Sequence, residues 1–131
     1  MARTRKFTVT VASASGTGTG YTPYLSGYIE SIELLSGATY TDDAVDITIT
    51  AEATGEDILA LTNADLTTLP VRRRPRAATH GADGVAAEYL DATAVSAVND
   101  RIALSRDRVK IAIAQGGTAK TGTFVIVTSD A

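Results

Sequence analysis

The chain has 131 residues, a formal net charge of −3 and 44% hydrophobic residues, which suits one domain over residues 1–131 with a core of its own. It contains no cysteine and a single histidine, which excludes a disulfide framework, a thiolate-bound metal centre and a His-rich site. An acidic total with five Tyr, two Phe and no Trp argues against a dedicated nucleic-acid binder and against a stacking cleft for sugars.

In chain order, Met1-Ala2-Arg3-Thr4-Arg5-Lys6 reads as a basic, flexible arm over residues 1–6. The apolar run of a secretion signal does not follow it, and no stretch has the length of a membrane span, so a protein made in the cytoplasm without a membrane partner is expected. Phe7, Val9 and Val11 then alternate with Lys6, Thr8 and Thr10, the period of a half-buried strand. Residues 14–23, ASGTGTGYTP, read as a Gly/Thr turn region. The stretch YLSGYIESIELLSG predicts a second, less regular strand, because Glu30 shares a face with Tyr28 and Ile32. Gly27 within it suggests a bulge or a close backbone approach.

Val45, Ile47 and Ile49 face one way and Asp46, Thr48 and Thr50 the other, after an Asp42-Asp43 turn. GEDILALTN fits either a helical turn or a strand. Residues 65–84 read as a long polar connection in which Pro70 and Pro75 block regular structure. In GVAAEYLDATAVSAV, alanines favour helix while Thr93, Val95 and Val98 favour strand; extended or irregular structure is the expectation. Ile102 and Leu104 share a face, and Val109, Ile111 and Ile113 alternate until Gly116-Gly117. With Phe124 to Val127 as a last strand, the end of the chain predicts a closing hairpin. Many short strands and no long helix predict an all-β fold, an antiparallel β-sandwich or jelly-roll barrel with long loops.

Little in the sequence points to catalysis. His80, beside Gly81 and Asp83, reads as a solvated loop histidine, and TDDAVD lacks the glycine of a calcium loop. No G-x-S-x-G elbow is present, and KTG at Lys120 to Gly122 stands without an S-x-x-K partner. GTGTGY and GGTAKTG miss the spacing of phosphate-binding loops and precede no helix. The expectation is no enzyme, no cofactor, no metal and no small-molecule substrate. What stands out is LPVRRRPRAATHG, with four arginines in five positions of a net acidic chain. The planar guanidinium forks of Arg72, Arg73, Arg74 and Arg76 grip carboxylates in pairs. Pro70 and Pro75 stiffen the segment, which lowers the entropy lost on docking. An acidic remainder would repel a nucleic-acid backbone, so a protein surface is the expected partner.

The order SGYIESIEL, YTDDAVDITITAEATGEDILALTN, a Pro/Arg connection and NDRIALSRDRVKIAIAQGGTAKTGTFVIVT resembles the capsid decoration, or cement, proteins of tailed bacteriophages over roughly residues 24–128. The resemblance implies a β-sandwich, often a jelly roll, that binds the major capsid protein as a homotrimer on the outer surface of the virion and bridges neighbouring capsomers. On that reading Arg72, Arg73, Arg74 and Arg76 dock on acidic capsid surface, and Arg3, Arg5 and Lys6 form a second arm. A tail-tube or head–tail connector subunit, a carbohydrate-binding β-sandwich and a hydrolase using His80 are the alternatives.

Overall fold

The computed structural model describes residues 3–91 and 94–130. Among these the structure is all-β, with a single 3-10 turn, Leu66–Thr68, and no α-helix. The strands are β1 (Thr4–Ala12), β2 (Gly18–Tyr21), β3 (Leu25–Leu34), β4 (Asp46–Ala51), β5 (Asp57–Leu61), β6 (Val71–Arg73), β7 (Arg76–Ala78), β8 (Glu88–Asp91), β9 (Ala94–Ala97), β10 (Asn99–Asp107), β11 (Val109–Ala114) and β12 (Thr121–Ser129). A six-stranded antiparallel sheet runs β1-β12-β3-β10-β7, with β6 also paired to β3. A four-stranded sheet runs β2-β11-β4-β5, and β8 and β9 make a separate ribbon.

Period-two patterning drives the two large sheets together. Val9, Val11, Ile29, Phe124 and Ile126 from one sheet and Ile47, Ile49, Val109 and Ile111 from the other form one buried cluster. Each such side chain contributes about 1.5–3 kcal/mol on burial, so the pair of sheets is a β-sandwich held by its inner faces. The outer faces keep the Thr, Lys and Asp residues of the same strands, as the alternation requires.

Four local expectations change. Residues 109–127 do not form a hairpin: β11 pairs with β2 and β4, whereas β12 pairs with β1 and β3. The intervening segment crosses from one sheet to the other, because strands buried on the same core serve opposite layers. The Gly/Thr region contains β2, whose inward positions are glycines; a Cβ on Gly20 would lie 2.6 Å from Val11 Cγ2. Alternation is present there, but glycine hides it. The basic arm is strand from Thr4 onward, paired to β12 from Thr4↔Ser129. Residues 65–84 are not irregular throughout, since β6 and β7 carry the arginines.

The irregularity of β3 has a simple cause. Val127 faces Ser31 and Thr128 faces Ile29, leaving Glu30 as an extra residue. This bulge switches the inward parity, so that Ile29 lies in the core before it and Ile32 and Leu34 after it. Gly27 is the close approach anticipated: its φ is +123° and a Cβ would meet Ser129 O at 2.5 Å. GEDILALTN is strand β5, and the Ala-rich stretch is extended in β8 and β9.

Candidate functional site

The arginines owe their positions to a fork between β3 and β10. These strands run together as far as Ile102↔Ile29. Beyond that point β6 lies on β3, with Glu33↔Arg72 and Ile32↔Arg73, while β7 lies on β10, with Arg101↔Arg76. Residues 71–78 thus line both arms of the fork, and buried Pro75 sits in the turn between them. Proline is tolerated here because a strand edge at the turn has no ladder bond to lose.

Strand periodicity then divides the arginines. Arg72 and Arg74 lie on the outer face of the six-stranded sheet, lining a shallow groove of about 370 Å³ with Thr4, Glu30, Ser31 and Val127. Lys6, opposite Val127 in register, belongs to the same face. Arg73 points the other way, into a groove with Asn63, Asp65 and Thr68, and its Nη1 donates to Arg72 O at 3.0 Å. Arg76 is exposed on β7, and its Nη1 donates to Pro75 O at 2.9 Å. Arg5 has the parity of Val9 and lines a groove with Tyr24 and Arg106 at the far end of the sheet. Arg3 precedes β1, and its carbonyl accepts from Asp130 N at 3.0 Å. Of the seven expected docking residues, Arg72, Arg74, Arg76 and Lys6 therefore share one face, whereas Arg73, Arg5 and Arg3 do not.

Glu30 holds that face together. As the bulged residue it turns outward beside Ser31, and its Oε1 accepts from Ser129 Oγ at 2.6 Å and from Arg101 Nη1 at 2.9 Å. Arg101 also stacks on Tyr28, its Cζ 4.2 Å from the ring centre. The Ser129 hydroxyl first, and then Arg101 with a contribution from Arg76, hold the Glu30 carboxyl below its usual range. Arg76 and Arg101 face each other across two strands, an arrangement that like charges disfavour. Glu30 offsets it. The result is a surface of guanidinium forks and one ammonium, with Glu30 and Glu33 as its carboxylates among the described residues, on a chain of net charge −3.

Other clusters were not visible in the sequence. Arg108 pairs with Glu52 and lies 4.0 Å and 5.3 Å from the ring centres of Tyr21 and Tyr24. The carboxylates of Asp42, Asp43 and Asp65 approach within 4.8 Å of one another, all exposed. Asp42 accepts from Leu66 N and Asp65 from Thr67, so two of the three clasp the 3-10 turn. His80 is exposed, and its backbone bridges to Ala86. The Arg101, Tyr28 and Glu30 set was hidden because Arg101 comes from β10 and nothing local to either strand states that β10 pairs with β3.

Among the described residues no helix is long and apolar enough to cross a membrane, a statement that does not extend to strands. Comparison with protein-family models, with curated proteins and with solved structures returns no match.

Proposed function

We propose that the protein is a structural subunit that clothes a larger assembly, a decoration protein of a tailed-phage head, and that it docks through Arg72, Arg74, Arg76 and Lys6. The observation that carries this reading is the concentration of cations on one sheet face of an acidic chain. Guanidinium forks match surface carboxylates in geometry as well as charge. The sequence resemblance supplies the shell as partner. A homotrimer presents three such faces, so docking of one raises the local concentration of the others and adds a factor of roughly 10²–10⁴ in avidity. Binding to the assembled shell and not to free capsid subunits opposes disassembly by mass action. Arg73, Arg5 and Arg3 leave the docking set because they lie on other surfaces.

The test is co-sedimentation of the purified chain with expanded, empty phage heads. Arg72→Ala/Arg74→Ala/Arg76→Ala is expected to keep the wild-type melting temperature within about 5 °C, because each surface substitution stays within about 0.5 kcal/mol, and to lose head occupancy. Unchanged occupancy of the triple variant would overturn the assignment. Equally tight binding of the wild type to duplex DNA, weakening steeply with salt, would mark the face as a phosphate site instead.

A further inference from the structure

A second surface lies at the top of β10. Between β7 and β10 the chain makes an excursion, residues 79–98, tied at its base by Thr79 N to Val98 O, Ala87 N to Thr79 O and Val98 N to Ala87 O, all 2.8–3.0 Å. Beyond this junction β8 and β9 form a ribbon with Tyr89 opposite Ser96. Neighbouring residues on a strand point to opposite faces, so Tyr89 and Val95 lie on opposite sides of the ribbon. Tyr89 is 53% and Val95 64% exposed, and Val85 at the base is 64% exposed. Among the described side chains, Tyr89 on one face and Val95 on the other are thus open to solvent. A two-stranded ribbon is marginally stable alone, and Tyr89 and Val95 give each of its faces an apolar group on which a partner could pack.

The charge on this excursion is of one sign. Residues 79–98 contain Asp83, Glu88 and Asp91 and no Lys or Arg. At the other end of the same strand, a groove of about 370 Å³ is lined by Arg5, Tyr24 and Arg106, with Leu25, Ser26 and Asp130. Tyr24 is 65% exposed. A second bulge, between Leu104 and Asp107, turns Arg106 outward with φ at 48°, and Arg106 N donates to Ser26 Oγ at 2.9 Å. Neither Arg5 nor Arg106 is in an ion pair among the described residues. The groove offers an aromatic face and two guanidinium forks, and the arm offers an aromatic, a valine and carboxylates.

We propose that the arm, through Tyr89, Val95 and the carboxylates of Asp83 and Glu88, docks into the Arg5, Tyr24 and Arg106 groove of a second copy of the chain. The contact is between copies because β10, nine residues long, separates arm from groove by about 30 Å at roughly 3.3 Å per residue. An arm of four-residue strands does not fold back over that distance. A contact between opposite poles of one chain joins copies head to tail, and three such contacts close as a ring. The proposal rests on the oligomeric half of the function proposed above and is independent of shell binding.

Light scattering on the full chain tests it. The wild type is expected to form a discrete oligomer at about 0.1 mM; a monomer at that concentration overturns the proposal. Tyr89→Asp/Val95→Asp removes the arm, and Arg5→Glu/Arg106→Glu removes the groove. Each variant is expected to associate at least roughly 100-fold more weakly while its thermal melt is retained. Should the aspartates impair folding, Tyr89→Ser/Val95→Ser replaces them. The decisive measurement mixes the two variants: one has an intact groove and the other an intact arm, so a one-to-one dimer forms. Absence of that dimer, or undiminished association of either variant alone, overturns the proposal. Arg72→Ala/Arg74→Ala/Arg76→Ala keeps the oligomer, so a failure of shell docking is read separately.

Discussion

Tyr40 offers a test of how the β3–β4 connection is fastened to the six-stranded sheet. Its side chain is 3% exposed, and its hydroxyl donates to Val11 O while accepting from Gly122 N–H. Val11 and Gly122 face each other in the β1–β12 register, so the phenol bridges the two strands there. A Cβ on Gly122 would lie 2.5 Å from Tyr40 Cε2, which is why that position carries no side chain. Tyr40→Phe keeps the ring and removes the hydrogen bond donated to Val11 O and the one accepted from Gly122 N–H, while the β1–β12 pairing of the two residues stays in place. Each lost hydrogen bond is worth about 0.5–1.5 kcal/mol, giving about 1–3 kcal/mol in total. With an unfolding entropy near 2.1 cal/mol/K per residue and 131 residues, that corresponds to a fall in Tm of about 4–11 °C. Calorimetry at pH 7 measures it; a fall below about 3 °C would refute the bridging role.

The same residue sets an alkaline signature. Burial pushes the Tyr40 phenol up from 10.0 to about 12. A group whose pKa is raised on folding contributes stability that is complete below its unfolded value and is lost as pH rises through the folded one. Wild-type stability therefore falls by up to about 3 kcal/mol between pH 10 and 12, at roughly 1.4 kcal/mol per unit. In Tyr40→Phe that component is absent. Parallel alkaline limbs in the two proteins would show that the phenol ionises without resistance.

Two further predictions concern carboxylates. Glu30, held below the ordinary carboxylate value of 4.5 by Ser129 and then by Arg101, adds stability above the unfolded pKa that is lost as pH falls through the folded one. Glu30→Gln should cost about 1 kcal/mol at pH 7, where the pair is partly exposed, and flatten urea midpoints below pH 4.5; an unchanged acid limb would remove Glu30 from that role. Asp107 is 4% exposed, and its Oδ1 accepts from Ala53 N at 3.0 Å and Arg108 N at 2.7 Å, joining the β4–β5 turn to the β10–β11 corner. Asp107→Ala should cost about 2–3 kcal/mol in denaturant titration, and a loss under 1 kcal/mol would mean that water replaces the carboxylate.

The legible parts of the sequence were those governed by neighbours along the chain. Val45, Ile47 and Ile49, and Val109, Ile111 and Ile113, announce their inner faces by alternation. Pairing partners are a different matter. Val109 to Ile113 and Phe124 to Val127 look alike because both pack on one core, and nothing local states that they belong to opposite layers. β2 escaped notice because close approach to Val9 and Val11 demands glycine at its inward positions. In the candidate site, the arginine run was visible as composition. Its division was not: Arg72 and Arg74 separate from Arg73 only once β6 fixes a strand period, and Arg5 parts from Lys6 by the same rule.

The distribution of buried surface separates what folds the chain from what the chain offers to others. Among the described residues between Ile58 and Ile102, Pro75 is buried but no aliphatic or aromatic side chain is. Leu61, Leu66, Leu69 and Ala77 merely pack against the margin of the core. This excursion nevertheless carries the arginines of the fork and the exposed Tyr89 and Val95 of the ribbon. A segment of that length loses substantial conformational entropy on ordering and returns little apolar burial within its own domain, so core stability does not account for it. Cationic forks on one face and an acidic, apolar arm at one end are features that gain their free energy only from contact with other surfaces. The sandwich then serves as a rigid spacer: β3 and β10 hold the fork at fixed separation, and β10 holds arm and groove at opposite poles. On this argument, changes in residues 71–98 should alter association with little effect on folding, whereas changes at Tyr40 or Asp107 should do the reverse.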